Sequence, residues 1–463
     1  MIRLPVSLET RATFAALFRL SWPVVASRLG IMLMSLLDTL VVGRTSTAEL
    51  GFLMQAQSLY WVFGLTCMGL LMGVQVKTAH FLGSGDEHRV GAVFQRGLGY
   101  ALALGVGFMI LLLLAGPSFL RATVRPEIAR GSRLPLILFA VSMPIFLCGT
   151  VASQFLEALG RTRDVLIATL AANALNVALL FALVPGHAHM FGVDFHGAMG
   201  AATATLIART AQAVGMLVYV AWLPAAKPYG LTDKQPDDHA AAIEQRHIGY
   251  ATGAAYFIEV AAFGGMTVFA GHIGEDAAAS WAILLNFASV VFMVPMGLSA
   301  GCSVLVGRAF GAGDREGLAR TGRVSFVSAG AFMAAVVVVV LLFSGALTRF
   351  YTHDAQLIPV VRQGLLLSCL FFIPDGLQVV GAQALRARRD ILAPTVIHYV
   401  SYGAIMLPLG FAFSLTLGLG VPGLVLAIAV ASLISGAFQT ARFLWLDRRA
   451  PVRQQDQRRA DQA

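Results

Sequence analysis

The amino-acid sequence predicts an all-α membrane protein with twelve transmembrane helices, arranged in two pseudo-symmetric six-helix lobes. Of its 463 residues, 57% are hydrophobic and only 12% are charged, and the mean hydropathy is +0.76. Soluble domains carry about a quarter charged residues, so this composition excludes a mainly water-facing surface. A transmembrane helix needs about 20 mostly apolar residues. Apolar runs of that length recur along the chain, and an internal repeat divides them into two sets.

Charged or Gly/Pro-rich breaks separate the apolar runs. In the predicted first lobe, residues 1–222, the runs fall at 20–42, 52–76, 92–116, 134–157, 164–185 and 197–222. In the predicted second lobe, residues 248–446, they fall at 248–272, 277–305, 324–346, 359–385, 391–415 and 423–446. Residues 223–247 are polar and are predicted to form a cytoplasmic linker. A basic tail, residues 447–463, is expected to follow the last span.

The distribution of basic residues predicts the orientation of the chain. The predicted loops and termini on one side, together with the span ends next to them, carry 24 Lys and Arg residues, and those on the other side carry 7. Because basic residues are retained in the cytoplasm, both termini are expected there. The net charge of +9 therefore favours contact with anionic lipid, and we expect no nucleic-acid partner.

The two halves of the sequence resemble each other at a nearly constant offset. A shift of 228 residues superimposes seven identical residues among eighteen positions: Gly69, Leu70, Gly73, Val76, Gly83, Gly85 and Asp86 match Gly297, Leu298, Gly301, Val304, Gly311, Gly313 and Asp314. A shift of 226 matches Ala158, Leu159, Arg163 and Asp164 with Ala384, Leu385, Arg389 and Asp390. Because each half has an even number of spans, the repeats are parallel and related by an axis along the membrane normal.

Three isolated acidic residues lie inside predicted spans, away from the first and last residues of each span: Asp38 in span 1, Glu259 in span 7 and Asp375 in span 10. Each costs about 2.5–3.5 kcal/mol in the membrane, so each requires a function or a partner. Glu259 and Asp375 lie at similar mid-span depth and could face one cavity. Two carboxylates in a site of low dielectric constant do not both stay ionised without a cation, so the pair either holds a proton or binds a monovalent cation.

Other readings of these polar residues stay open from the sequence alone. Neighbouring hydroxyls or Arg209 could instead satisfy the second-half acids. Asn173 and Asn176 in span 5 could line a first-half cavity with Asp38. Some mid-span side chains could line a pocket for apolar cations, and the candidates are Met34, Asn286, Phe292, Met293 and Phe371.

No constellation typical of an enzyme is present in the sequence. A P-loop and the HExxH and GxSxG motifs are all missing in any meaningful context. The four cysteines lie far apart within apolar runs, which indicates packing residues rather than a metal site or disulfides. We therefore expect no enzymatic activity, no organic cofactor and no structural metal.

Three segments resemble the multidrug and toxic compound extrusion (MATE) transporters, with the NorM-like branch most similar. Residues 23–39 (PVVASRLGIMLMSLLDT) resemble their first helix. Residues 285–314 (LNFASVVFMVPMGLSAGCSVLVGRAFGAGD) resemble their eighth helix and next loop, and residues 374–390 (PDGLQVVGAQALRARRD) resemble their tenth helix and next loop. The likeness extends from about residue 12 to 445.

This resemblance implies a bacterial inner-membrane antiporter, expected to be a monomer, that exports cationic amphipathic compounds by alternating access. The coupling ion would be H⁺ or Na⁺. The matching positions imply an ion or proton site at Asp38 with Asn176, and a second at Glu259 with Asp375, where Na⁺ could also bind. Leu180 and Phe371 replace polar residues of some relatives, which favours H⁺ because ligand atoms are lost.

Two other functions remain as alternatives. A lipid-linked oligosaccharide flippase of related fold should have several basic residues in its cavity, whereas only Arg28 and Arg209 lie within predicted spans more than five residues from either end. A non-transport membrane receptor or enzyme is disfavoured by the parallel duplication and by the missing catalytic constellation.

Overall fold

The structure, a computed structural model, describes residues 8–185, 188–190, 193–223, 228–231 and 238–449. This part of the chain contains twelve helices long and apolar enough to span a membrane, which confirms the predicted fold class. We number them α1 to α12. In the first lobe they are Leu8–Thr45, Thr47–Ser84, Glu87–Thr123, Arg133–Ala158, Thr162–Leu183 and Gly197–Trp222. In the second lobe they are His239–Ile273, Glu275–Gly311, Arg315–Tyr351, Leu357–Ala387, Leu392–Thr416 and Val421–Arg448.

Many helices are longer than the apolar runs that predicted them. Helix α7 has 35 residues and helix α8 has 37, although about 20 are enough to cross the hydrocarbon core. The predicted linker illustrates the difference, because its last residues, 239–247, already form the first turns of α7. Residues 224–227 and 232–237 of that linker, and residues 450–463 of the predicted tail, lie outside the described residues.

Short irregular elements interrupt the helical pattern. A turn at Leu71 and Met72 divides α2 into two helical stretches. A one-turn helix, Pro126–Gly131, precedes α4, and an antiparallel pair of strands, β1 (Ala188–Met190) and β2 (Val193–Phe195), connects α5 to α6. Helix α11 contains a π-helical stretch, Tyr399–Met406. Such stretches are frequent at functional sites.

Each lobe has its own apolar core, and its outer surface is apolar as well. Tyr60 and Phe139 are fully buried in the first lobe, and Trp281 and Tyr402 are fully buried in the second. Large apolar side chains are also exposed on the outward faces of the helices, among them Leu114, Phe181, Val327 and Leu342. Exposed apolar surface on this scale is unfavourable in water and suits a lipid environment.

The lobes meet along a seam in which glycines of one lobe touch backbone of the other. A Cβ atom on Gly83 would collide with the backbone carbonyl of Arg308, and one on Gly311 would collide with that of His80. The pairs are related by the 228-residue shift, because His80 matches Arg308 and Gly83 matches Gly311. The repeated glycines therefore mark positions where backbones approach too closely for any side chain.

The same pseudo-symmetry relates the other glycine contacts of the seam. Gly69 packs on Gly253, and its repeat Gly297 packs on Val25. Gly73 and Gly301 repeat the pattern against the N-terminal parts of α7 and α1, at Gln245 and at Leu17 and Ser21. Val25 and Gly253, and Leu17 and Gln245, are again displaced by 228 residues, so the duplicated sequence makes these inter-lobe contacts twice.

Polar contacts surround this seam at the ends of α2, α7, α8 and α10. The Glu244 carboxylate accepts hydrogen bonds from Lys77 Nζ of the first lobe at 2.7 Å and from Arg389 Nη2 of the second at 2.9 Å. Arg308 Nη2 donates to the Ala158 carbonyl at 2.7 Å, and His80 Nε2 lies 2.6 Å from the Ala387 carbonyl. Both carbonyls belong to the last residues of helices, where intrahelical donors are lacking.

Candidate functional site

A cavity of about 350 Å³ is lined by second-lobe residues and by Leu65 of α2, and it contains both mid-span acids of the second lobe. Glu259 from α7 and Asp375 from α10 line it, as the similar depth of the two residues predicted. Phe292 and Met293 from α8 and Phe371 from α10, all proposed from the sequence as pocket residues, line it too. The cavity thus combines an apolar, aromatic wall with two carboxylates.

Asp375 is buried and held by hydrogen bonds. The Tyr402 hydroxyl donates to Asp375 Oδ1 at 3.3 Å, and Gln378 Nε2 donates to the same oxygen at 3.4 Å. The Tyr402 oxygen also lies 3.2 Å from Ser432 Oγ of α12. Tyr402 belongs to the π-helical stretch of α11, so this irregular element positions a donor against a membrane-embedded acid.

Glu259 is less enclosed than Asp375. Its side chain is 16% exposed, and its Oε2 atom lies 4.0 Å from Nε2 of His398 on α11. The other ring nitrogen of His398 is near the Pro394 carbonyl, at 3.0 Å, and near Gln439 Nε2, at 3.2 Å. The imidazole is therefore fixed in place beside a carboxylate that faces the cavity.

Arg386 corrects one assignment made from the sequence. We counted it among the cytoplasmic loop residues, because the apolar run of span 10 ends at residue 385. Helix α10 instead continues to Ala387, and Arg386 is 1% exposed and lines the cavity with Glu259 and Asp375. Its Nε and Nη2 atoms have no hydrogen-bond partner within the described residues. A buried guanidinium is thus part of the cavity's charge balance.

The first-lobe acid has a different environment, because donors from three helices surround it. The Asp38 side chain on α1 is 1% exposed. Thr205 Oγ1 from α6 donates to its Oδ2 atom at 2.8 Å, Asn176 Nδ2 from α5 donates to Oδ1 at 3.3 Å, and Gln57 Nε2 from α2 donates to Oδ2 at 3.4 Å. These donors compensate the burial of a carboxylate.

The two arginines predicted inside spans both have partners in the first lobe. Arg28 Nη2 lies 3.7 Å from Oε1 of Glu157. The Glu157 side chain is nearly fully buried, and its Oε2 atom accepts a hydrogen bond from Gln75 Nε2 at 3.1 Å. Arg209 Nη1 donates to the Tyr60 hydroxyl at 2.6 Å and lies against the rings of Tyr60, Trp61 and Phe146. Arg209 therefore does not satisfy the second-lobe acids, as one reading of the sequence allowed.

Two of the proposed pocket residues lie elsewhere. Met34 is buried against Ala172 and Ala208 within the first lobe, because its face of α1 packs on α5 and α6. Asn286 is exposed and does not line the cavity. Its Oδ1 atom accepts a hydrogen bond from the Tyr351 hydroxyl at 3.2 Å, so this face of α8 points towards the end of α9.

Four residues of the two sites were not predicted from the sequence: Thr205, Arg386, His398 and Tyr402. His398 and Arg386 could have been found by the rule that located the acids, because an ionisable residue next to or within a span requires a reason. Thr205 and Tyr402 carry hydroxyls that are common in membrane helices, so only the packing of α6 and α11 identifies them. Within the described residues, no three His, Cys, Asp or Glu side chains group as metal ligands do.

A family model described as MatE matches residues 23–182 and 252–412, which is most of both lobes. The chain belongs to the MatE family. This confirms the resemblance to MATE transporters, and the NorM-like branch is confirmed by NorM-named relatives. The "Probable multidrug resistance protein NorM" of Caulobacter vibrioides is 41% identical over 94% of this chain and 92% of its own. The "Multidrug resistance protein PmpM" of Pseudomonas aeruginosa is 28% identical, over 89% and 87% respectively.

Solved structures of MatE-type transporters have the same fold. A structure described as "Crystal structure of MATE in the bent conformation" matches with a TM-score of 0.85, covering 96% of this chain and 98% of that one at 17% identity. An "Outward-facing conformation of a multidrug resistance MATE family transporter" matches with a TM-score of 0.85, covering 94% and 96% at 16% identity. The expectation that this MatE chain is not an enzyme is confirmed, because its homologues and structural neighbours are transporters.

Proposed function

We propose that this MatE chain is an antiporter of the bacterial inner membrane that exports cationic, amphipathic compounds in exchange for protons. Support for export comes from the NorM-named relatives, which are called multidrug resistance proteins. The single observation that carries the proposal is the second-lobe cavity. It presents Glu259 and Asp375 within a wall of Phe292, Met293 and Phe371.

This cavity suits an organic cation for two physical reasons. Aromatic and methionine side chains bury apolar surface of variable shape, and aromatic rings attract cations. The carboxylates supply the opposite charge at low dielectric constant, where charge pairing is stronger than in water. A cavity of about 350 Å³ is within the size range of small-molecule sites.

The same two acids would couple export to the ion gradient. A proton and an organic cation compete for a carboxylate, so loading from one side promotes release to the other if the lobes alternate their access. Protons are favoured over Na⁺ because Phe371 contributes no oxygen ligand to the cavity wall.

The test measures efflux of a fluorescent cationic drug from proteoliposomes, with a pH gradient and a Na⁺ gradient imposed separately. We expect efflux with the pH gradient, its loss with a protonophore, and no efflux with Na⁺ alone. The variants Glu259→Gln and Asp375→Asn should abolish efflux, because neither neutral amide exchanges a proton. Asp276 is an exposed residue at the start of α8, and the variant Asp276→Asn is the control, which should retain efflux.

Two outcomes would contradict this assignment in different ways. Efflux that requires Na⁺ and survives the protonophore would mean that Na⁺, and not H⁺, is the coupling ion. Full activity of both acid variants, with normal insertion, would remove the second-lobe acids from the mechanism.

A further inference from the structure

A second cavity, of about 290 Å³, lies between the lobes rather than inside one of them. Helices α2 and α3 of the first lobe and the first turns of α7 from the second lobe form its wall. Arg96 and Arg246 line it from opposite lobes, together with Tyr100 and Gln245. Both arginines lie near the N-terminal ends of their helices, at the membrane side to which the basic-residue asymmetry assigns the cytoplasm.

We propose that this cavity binds the headgroup of an anionic, hydroxyl-bearing phospholipid, of which phosphatidylglycerol is the type. Basic pockets between transmembrane helices on the cytoplasmic side suit anionic headgroups. Arg246 is exposed and makes no ion pair with any described residue, so its charge is available to a phosphodiester. Arg96 approaches from the other wall, where its Nη1 atom contacts the Asp238 carbonyl at 3.4 Å.

The hydroxyl requirement comes from Gln245. This side chain is 7% exposed, and its Nε2 atom donates to the Val93 carbonyl at 3.1 Å, which leaves Oε1 directed away from that bond. Oε1 is buried and has no hydrogen-bond partner among the described residues. A buried acceptor without a donor is unfavourable, and a headgroup hydroxyl in this cavity would supply the donor.

The surroundings of the cavity provide a path for acyl chains. Towards the membrane centre, exposed Leu102 and Val106 follow Arg96 on α3, and exposed Tyr250 and Phe257 follow Arg246 on α7. Tyr100 and Tyr250 make an edge contact across the two helices, with ring centroids 6.3 Å apart. Gly99 lines the cavity without a side chain, and no atom lies within 4 Å of its Cβ position. The bound lipid would therefore bridge the two lobes.

Native mass spectrometry of the purified full-length protein tests this site by titration with lipids of identical acyl chains. We expect affinity to decrease from phosphatidylglycerol to phosphatidylmethanol, which lacks the hydroxyl, and then to phosphatidylcholine. Each Arg→Gln change at 96 or 246 should weaken phosphatidylglycerol binding about fivefold. Arg246→Lys should retain most of it, and Arg323→Gln, an exposed arginine on α9, should have no effect.

Several outcomes would overturn the proposal. One is that the Arg96→Gln/Arg246→Gln variant binds phosphatidylglycerol as tightly as the wild type does. Another is that Arg323→Gln weakens phosphatidylglycerol binding as much as the changes at 96 and 246 do. Displacement of the lipid by millimolar inorganic phosphate or glycerol 3-phosphate would instead identify a site for soluble phosphates. If the double variant does not fold, Arg246→Gln alone decides, because that side chain is exposed. Lipid binding is measured without transport, so a failure of this proposal can be distinguished from a failure of the antiport proposal.

Discussion

Arg28 and Arg386 are both membrane-embedded arginines, but their immediate environments differ. Arg28 lies 3.7 Å from the Glu157 carboxylate in the first lobe. Arg386 lines the second-lobe cavity, and its Nε and Nη2 atoms have no partner within the described residues. Removal of one member of a buried ion pair leaves an uncompensated charge. Apolar replacement of a buried charge that lacks hydrogen-bond partners instead removes the cost of keeping that charge out of water.

We expect methionine substitutions at these positions to have opposite effects on stability. Arg28→Met should destabilise the protein by roughly 2–3 kcal/mol, because Glu157 keeps only its hydrogen bonds from Gln75 and Ser153. Arg386→Met should leave the unfolding temperature unchanged or raise it, yet abolish proton-coupled export. Thermal unfolding in detergent, beside the proteoliposome assay, measures both effects. An equal loss of stability in the two variants would contradict the difference inferred from their contacts.

The residues that escaped sequence analysis share a physical cause. Glu259 and Asp375 were predicted to face one cavity because depth along a helix follows from the rise per residue. The rotation of a helix and the identity of its neighbour do not follow from that rise, so Tyr402 and His398 of α11 were not connected to these acids. For the same reason Met34 and Asn286, proposed as pocket residues from the sequence, do not line the second-lobe cavity.

At the scale of elements, the crossing of α2 and α8 depends on the absence of side chains. Gly83 and Gly311 each contact a backbone carbonyl of the opposite helix, so even a methyl group must displace a helix. Hydropathy predicted both helices, and the repeat predicted that these glycines are equivalent. Their role in the contact between lobes required the structure, because a glycine in a repeat is equally typical of a turn.

Gly83→Ala should separate the lobes at the ends of α2 and α8. We expect a longer distance between spin labels at the exposed positions 87 and 316, introduced as cysteines in a background without the four native ones. Gly311→Ala should give the same change, since the two contacts are related by pseudo-symmetry. Pulsed electron–electron double resonance measures the distribution of distances between the two spin labels.

Gly51→Ala is the matched control for this experiment. Gly51 also lies in α2, but nothing is within 4 Å of its Cβ position, so alanine should improve helix stability by about 1 kcal/mol without moving the lobes. An unchanged distance in both seam variants would mean that this contact does not hold the lobes together.

For the whole molecule, composition and hydropathy were sufficient to predict the class, the number of helices and the duplication. They could not predict helix ends, because the turns beyond the hydrocarbon core are polar and resemble loops in sequence. This is why α7 begins at His239, within the stretch that we predicted to be a linker, and why α10 includes Arg386. The limits of the lobes proposed from the sequence stay predictions.

The excess of 24 over 7 basic residues predicts that the seam faces the cytoplasm with both termini. A green fluorescent protein fused after Gln454 should therefore fluoresce in intact cells, because it folds in the cytoplasm. Alkaline phosphatase at the same point should be inactive, since its disulfides do not form there. Active phosphatase without fluorescence would reverse the topology and place the seam on the outer side.

If the lobes alternate their access as proposed above, the glycine contacts of the seam affect the entropy change on its closure. Glycine contacts immobilise no side-chain rotamers, so closure along them loses less conformational entropy than closure of an interface built from long side chains. Electrostatic attraction across the seam then comes from a few ion pairs at its edge. Glu244 pairs with Lys77 and Arg389, Arg89 pairs with Asp238, and Arg320 pairs with Glu9. The seam therefore combines glycine contacts of low entropic cost with a small number of ion pairs. Ionic strength should act mainly on the ion pairs.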